Sequence, residues 1–203
     1  MLKRFHVALL AAAFMAVAAP PASPAPGLAK ATFAGGCFWC MEGPFDSTPG
    51  VVSTTSGYTG GSVKRPSYEQ VSSGETGHAE SVEVVYDPAK VSYAQLLETF
   101  WHNVDPTDGG GQFCDRGNQY RTAIFFHDDD QRRLAEKSKG DIEAAGTLKK
   151  KIVTQIVPAS EFYPAEDYHQ DYYQKNPARY RFYRFNCGRD ARLKSLWGEA
   201  ARH

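Results

Sequence analysis

A sandwich of β-sheet and helix, α/β or α+β, is the fold class this sequence predicts. Three observations carry it. Segments with the period-two pattern of strands alternate with segments of helical period. No internal repeat breaks the alternation. The 12 Phe, 11 Tyr and 3 Trp among 203 residues give enough bulk for one core.

Taken in order, Lys30 to Gly36 reads as a strand, Gly35-Gly36 as a turn, and Cys40 to Ser47 as a short helix. Val51 to Tyr58 and Ala79 to Tyr86 read as strands, joined by a Gly/Ser/Thr-rich loop from Thr59 to Gly77. A loop that long in a compact domain tends to be functional. From Ser92 to Val104, apolar residues fall at 96, 97, 100, 101 and 104, the spacing of an amphipathic helix capped by Ser92. Tyr120 to Phe126 is a strand, Asp129 to Ala145 a charged helix, and Ile152 to Val157 the last strand. Glu166 to Lys175 and Asp190 to Trp197 are shorter helical segments. The aromatic stretch from Tyr163 to Asn186 lacks clean periodicity and is expected to wrap the core.

Composition narrows the function. At 42% hydrophobic and 23% charged, the chain is neither disordered nor a coiled coil. Its 23 basic residues balance 23 acidic ones, which leaves no footprint for a nucleic-acid backbone. Lys3 and Arg4 precede an apolar run from Val7 to Ala19 that ends in Ala16-Val17-Ala18, the pattern of a secretory signal peptide. That run of 13 residues is shorter than the roughly 20 a membrane span needs, and Pro20 to Pro26 cannot continue a helix. No Cys precedes Cys37, so lipid attachment at the cleavage point is not expected. Residues 1–22 are therefore read as signal peptide and Pro-rich leader, and 30–203 as one domain. The expected location is periplasmic or secreted, with the leader removed rather than kept as an anchor. Without Lys3 and Arg4, 21 basic residues face 23 acidic ones, a charge of −2.

Four cysteines remain, at 37, 40, 114 and 187. An exported chain would by default hold them as two structural disulfides, yet a domain with this many aromatics can fold without staples. Cys37 follows the Gly-Gly turn at the expected helix N-terminus, where backbone N–H groups and the macrodipole favour a thiolate. Cys40 lies three residues on, on the same face. A static bridge across one turn closes too small a loop to stabilise much, which favours a reactive pair.

Glu80 shares a strand face with Val82, Val84 and Tyr86. A carboxyl desolvated there holds its proton toward neutral pH and suits a general acid. A solvated Glu at a sheet edge carries the same pattern, and pattern alone leaves both open. His78 is read as structural. Cys37, Cys40, His78 and Glu80 together also hold the residue types of a zinc deaminase. The order is reversed relative to that signature and no Pro precedes the cysteines, so zinc stands as the alternative of a different class. Tyr68, Asp115 and Tyr120 are further polar candidates. Cys187, before the flexible Gly188, is either a mobile thiol or a tail staple.

Ala34-Gly35-Gly36-Cys37-Phe38-Trp39, Gly57-Tyr58-Thr59-Gly60-Gly61 and Thr76-Gly77-His78-Ala79-Glu80 closely resemble the A-type peptide methionine sulfoxide reductases. Tyr86-Asp87-Pro88, Phe100-Trp101, Asp105-Pro106, Gln119-Tyr120-Arg121 and Ala165-Glu166-Asp167-Tyr168-His169-Gln170 follow in the family's order, over about residues 31–177.

The resemblance implies an α+β, two-layer sandwich with a mixed sheet, a ferredoxin-like plait. It implies that Cys37 attacks the sulfoxide sulfur of the S epimer while Glu80 protonates the departing oxygen, leaving a sulfenic acid on Cys37. Phe38 and Trp39 would form the apolar pocket for the substrate methyl group. Tyr68 and Tyr120 match hydroxyls that bind the sulfoxide oxygen and orient Glu80, and Asp115 matches an acidic residue that polarises substrate or water. A second thiol resolves the sulfenic acid: Cys187 by its place in the tail, or Cys40, where many family members have glycine. Cys114 is read as nonessential. The expected activity repairs oxidised proteins and free methionine sulfoxide, as a monomer. It needs no metal or organic cofactor and is recycled by a thioredoxin-like reductant.

Overall fold

The computed structural model describes residues 27–201. The leader reading falls on residues outside that range. The core is a βαββαβ plait built from β1 (Ala29–Gly35), α1 (Trp39–Asp46), β2 (Val51–Thr59), β3 (Ala79–Tyr86), α3 (Tyr93–Trp101) and β6 (Thr122–Phe126). The four strands lie in the order β6, β1, β3, β2 with every neighbour antiparallel. Two further strands extend the sheet. Parallel to β6 runs β7 (Gln155–Pro158), which makes the sheet mixed, and β8 (Tyr163–Pro164) pairs with β2 at the opposite edge.

The alternation expected of β3 is present: Val82, Val84 and Tyr86 are buried and Glu83 between them is partly exposed, held by Lys30 at 2.9 Å. These side chains join Phe33 and Ile124 beneath α1, α3 and α4 (Asp129–Ala145). Phe33 is the centre of that layer, with Phe45, Phe100 and Tyr93 rings at 5.0, 5.3 and 6.0 Å. Ser92 caps α3 in a reciprocal arrangement with Gln95, as its place in the sequence predicted. On the other face, Ala34, Ala79, Ala123 and Phe125 form a smaller cluster.

Several elements depart from the sequence reading. The Thr59 to Gly77 loop contains α2 (Tyr68–Ser72), started by a capping box between Ser67 and Gln70. The Ser-x-x-Gln spacing was readable, but five residues carry too little periodicity to stand out. A small hairpin, β4 (Gly111–Gln112) with β5 (Asp115–Arg116), precedes a 3-10 turn at Asn118–Tyr120. In the tail, α5 (Tyr172–Lys175) is followed by α6 (Pro177–Asn186) and α7 (Arg189–Trp197). Here α6 was missed because its large apolar residues face outward: Phe182 and Phe185 are 71% and 82% exposed, while Arg184 points in. The strand at Ile152 to Val157 begins at Gln155 and is not the last, since β8 follows it.

Candidate active site

The site lies where β1 turns into α1. Gly36 takes φ +82°, and a Cβ there would come 2.5 Å from Cβ of Gln112, so the position requires glycine twice over. Gln112 is fixed by exchanging hydrogen bonds with the backbone of Asp105, at 2.8 Å each way. The turn delivers Cys37 just ahead of α1, with 6% of its surface exposed.

Phe38 stands at the N-cap with no side chain of its own to cap the helix. Its N–H donates instead to Oε2 of Glu80 at 3.1 Å. Glu80 reaches it from β3, where it pairs with Tyr58, and is only 2% exposed. Burial pushes its carboxyl up to about 8, assisted by the charges of Asp115 and Cys40 and opposed by the Phe38 N–H. Of the two sequence alternatives, the structure has the desolvated carboxyl.

The thiols behave differently from expectation. Burial drives the Cys37 thiol upward, and the neighbouring Cys40, Glu80 and Asp115 add to it. The helix N-terminus does not overcome this, because Glu80 already takes its leading N–H. Cys40 is pulled down to about 6 by the Cys37 thiol donating toward it, then by Arg189 and Arg184, against burial. The two thiols titrate as one coupled pair, in which Cys37 is the harder to ionise.

Tyr68, from α2, and Tyr120, from the 3-10 turn, come close enough to Glu80 and Cys37 for those charges to raise both phenols, burial being the larger cause. Asp115 also belongs to this group, and Tyr183 of α6 donates its hydroxyl to Asp115 Oδ2. Beside them opens a cavity of about 670 Å3, lined by Trp39, Tyr68, His169, Tyr172 and Tyr183. Trp39 stacks on Tyr172 at 3.7 Å and donates from Nε1 to Nδ1 of His169 at 3.0 Å. Phe38 lies deeper, 1% exposed, against Tyr58 and His169.

His169, Glu166, Tyr172, Tyr183 and Arg189 were not singled out from the sequence. Glu166 accepts from the Tyr58 hydroxyl and the Tyr68 N–H, at 2.8 and 2.9 Å, which anchors α2 to the tail. Both His169 and Glu166 fall in the block Ala165 to Gln170, which signalled their importance without assigning a role.

Cys114 and Cys187 are joined in a disulfide across 73 residues, while Cys37 and Cys40 are free and buried. Cys187 is thus paired rather than a loose tail thiol. The disulfide fastens the α6–α7 junction to the turn of the β4–β5 hairpin, at the wall of the cavity. Among the described residues, the ligand atoms close enough to share a metal are those of Cys114, Asp115 and Cys187, not Cys37, Cys40 and His78. The His78 ring packs on Tyr163 at the far edge of the sheet instead.

The family model described as peptide methionine sulfoxide reductase matches residues 29–201. The enzyme named peptide methionine sulfoxide reductase MsrA from Bacillus licheniformis is 55% identical over 168 residues, covering 83% of this chain and 93% of its own. Its namesake from Listeria innocua is 53% identical over 170 residues, 84% and 96% of the two chains. Among solved structures, methionine sulfoxide reductase A of Corynebacterium diphtheriae superposes with a TM-score of 0.67 at 39% identity, over 75% of this chain and 77% of that one. Reduced Mxr1 of Saccharomyces cerevisiae gives 0.72 at 33% identity, over 77% and 90%. A Gly-turned cysteine at a helix start, a proton-holding Glu on the adjacent strand and these matches agree, and the chain belongs to the peptide methionine sulfoxide reductase family of oxidoreductases.

Proposed function

We propose that this chain reduces the S epimer of methionine sulfoxide, protein-bound and free, with Cys37 as nucleophile, Glu80 as general acid and Cys40 as first resolving thiol. The observation that carries the reading is the contact between the Phe38 N–H and Glu80 at the start of α1. It places a buried carboxyl, protonated at neutral pH, beside the cysteine that must attack.

The protonation pattern orders the steps. A sulfoxide in the cavity meets Cys37 as a thiol beside an anionic Cys40. The Cys37 proton passes to Cys40, and the Cys37 thiolate attacks the sulfoxide sulfur. Glu80 delivers its proton to the oxygen of this S–S adduct, the resulting hydroxyl passes from the substrate sulfur to the Cys37 sulfur as the S–O and S–S bonds break, and methionine leaves with Cys37 as a sulfenic acid and Glu80 as a carboxylate. The Cys40 thiol then attacks Cys37, forming a disulfide and releasing the oxygen as water. Tyr68, Tyr120 and Asp115 act on the sulfoxide oxygen and on Glu80, and Trp39 walls the methyl pocket, with Phe38 supporting it from below.

The sequence favoured Cys187 as the resolving thiol. Its pairing with Cys114, and the closeness of Cys40 to Cys37, favour Cys40 for the first exchange and Cys187 for a later relay. A thioredoxin-like dithiol then recycles the enzyme. Cys37 and Cys40 are buried whereas Cys114 is exposed, so the outer disulfide is where such a donor makes contact. Residues 1–22 are proposed to export the chain to the periplasm, where it repairs oxidised proteins as a monomer.

A metal-free single-turnover assay tests the reading. Pre-reduced protein is mixed with each separated epimer of a methionine sulfoxide peptide, and methionine and remaining thiols are counted. Methionine from the S epimer alone, with loss of one thiol pair, is expected. No methionine from either epimer would overturn the assignment.

A further inference from the structure

Arg189 opens α7 and is 1% exposed, yet every partner of its guanidinium is neutral. Nη2 donates to the carbonyls of Gly35 and Asn103 at 3.1 and 2.7 Å and lies 3.0 Å from Sδ of Met41. The group lies 4.5 Å over the Phe113 ring, and Nε has no hydrogen-bond partner. The other buried arginine of the tail is matched: Arg184 pairs with Asp190 at 2.6 Å. None of the ion pairs among the described residues includes Arg189.

A buried guanidinium without a countercharge is costly, because desolvation is not offset by any Coulombic gain. Two groups facing it can supply the anion, the Cys40 sulfur and the Asp115 carboxyl, and its charge favours the ionised form of both. Asp115 is already engaged by Tyr183. The contacts of Arg189 also bracket the cysteine pair in sequence, Gly35 two residues before Cys37 and Met41 one residue after Cys40.

We propose that Arg189 is a positioning residue: its buried, unpaired guanidinium pins the Gly35 to Cys37 turn and stands as countercharge to the cysteine pair, so that Cys40 can take the Cys37 proton and later attack its sulfenic acid. The inference rests on the role given to Cys40 above. The other charged or titratable groups facing Cys40 are Cys37 from the turn, Glu80 from β3, Asp115 from β5, and Tyr180, Tyr183 and Arg184 from α6. Arg184 shares its charge with Asp190, which leaves Arg189 as the cation free to act on the thiolate.

The experiment follows thiolate ultraviolet absorbance against pH with the outer disulfide intact, so that only Cys37 and Cys40 contribute. Arg189→Gln should move the midpoint up by about one unit and slow conversion of sulfenic acid to disulfide at pH 7 by about twofold. Arg189→Lys, which keeps the charge but loses the multiple donation, should restore both. An unchanged midpoint in the Gln variant overturns the proposal, and so does a Lys variant as displaced as Gln, since that marks a structural role. Should Arg189→Gln not fold, Cys37→Ser on the native background keeps a donor beside Cys40 and leaves its thiol as the one that titrates. Its midpoint should stay below the ordinary thiol range, and an ordinary value overturns the proposal. A midpoint shift in Arg189→Gln together with normal disulfide formation in Cys40→Ser would instead retain the countercharge and refute Cys40 as the resolving thiol.

Discussion

The two titrations that bound the site predict a bell-shaped pH profile for methionine release in a single turnover. Below about 6, Cys40 gains a proton and can no longer receive the one on Cys37. Above about 8, Glu80 loses the proton it must give to the sulfoxide oxygen. At pH 7 each group is in its working form in roughly nine molecules of ten, so about four-fifths of the enzyme is competent. At pH 5 and at pH 9 one group is in the working form only about one time in ten, and the rate constant should fall to roughly a tenth of its plateau. Rapid mixing with subsaturating S-sulfoxide peptide and quenched methionine analysis reads the titrations of the free enzyme, free of the recycling steps. Glu80→Gln should abolish the alkaline limb and lower the plateau by about 10² to 10⁴, the usual worth of a placed general acid. Cys40→Ser should instead move the acid limb upward, because Cys37 alone is raised by burial. An alkaline limb that survives in Glu80→Gln, or a rate flat from pH 5 to 9, would refute the assignment.

In turnover assays with a dithiol donor, Cys40→Ser should release one methionine and then stall with a trapped sulfenic acid. Cys187→Ser should still form the Cys37–Cys40 disulfide and lose only the recycling rate, and the reverse pattern would return the resolving role to Cys187. Cys114→Ser removes a crosslink spanning 73 residues and should lower unfolding stability by about 2–4 kcal/mol in oxidising urea titrations; no change would mean that the bridge constrains little. Glu80→Gln should also stabilise the fold at pH 9 but hardly at pH 5. The native carboxyl keeps its proton up to about 8, whereas the unfolded one ionises near 4.3, so wild-type stability falls as pH rises between those values. Parallel melts of the two proteins at both pH values check the sign.

The plait was legible because its strands and long helices obey simple periods. In β3 the alternation placed Glu80 on the helix-covered face, and that placement alone raised the possibility of a protonated acid. Whether it was desolvated depended on α1 lying over it, a contact 42 residues distant in sequence that no local pattern encodes. The helix read over Asp190 to Trp197 matches α7 (Arg189–Trp197), whereas α2 and α6 were not legible. In α2 five residues place a single side chain, Val71, in the core, and in α6 Phe182 and Phe185 face outward while Arg184 is buried. Periodicity reads burial of apolar faces, and it misreads a segment that buries its cations.

That inversion also explains where the thiol chemistry departs from expectation. A cysteine at a helix N-terminus is expected to be acidic because free N–H groups await an anion. Here the carboxyl of Glu80 takes the leading N–H and the thiol is sealed from water, so burial outweighs what remains of the dipole. One turn along the helix the Cys40 thiol is shifted the other way, downward, first by the Cys37 thiol and then by two arginines from the tail. The arrangement puts the proposed acid and the proposed nucleophile in one enclosed space, where burial first, and the charge of Asp115 as well, raise both. It also makes the activity depend on the tail, because the cations reach the site only when α6 and α7 are seated, and the Cys114–Cys187 bond is what fastens their junction. Reduction of that bond should therefore loosen the cations' hold on Cys40 at the same time as it frees Cys187 to exchange.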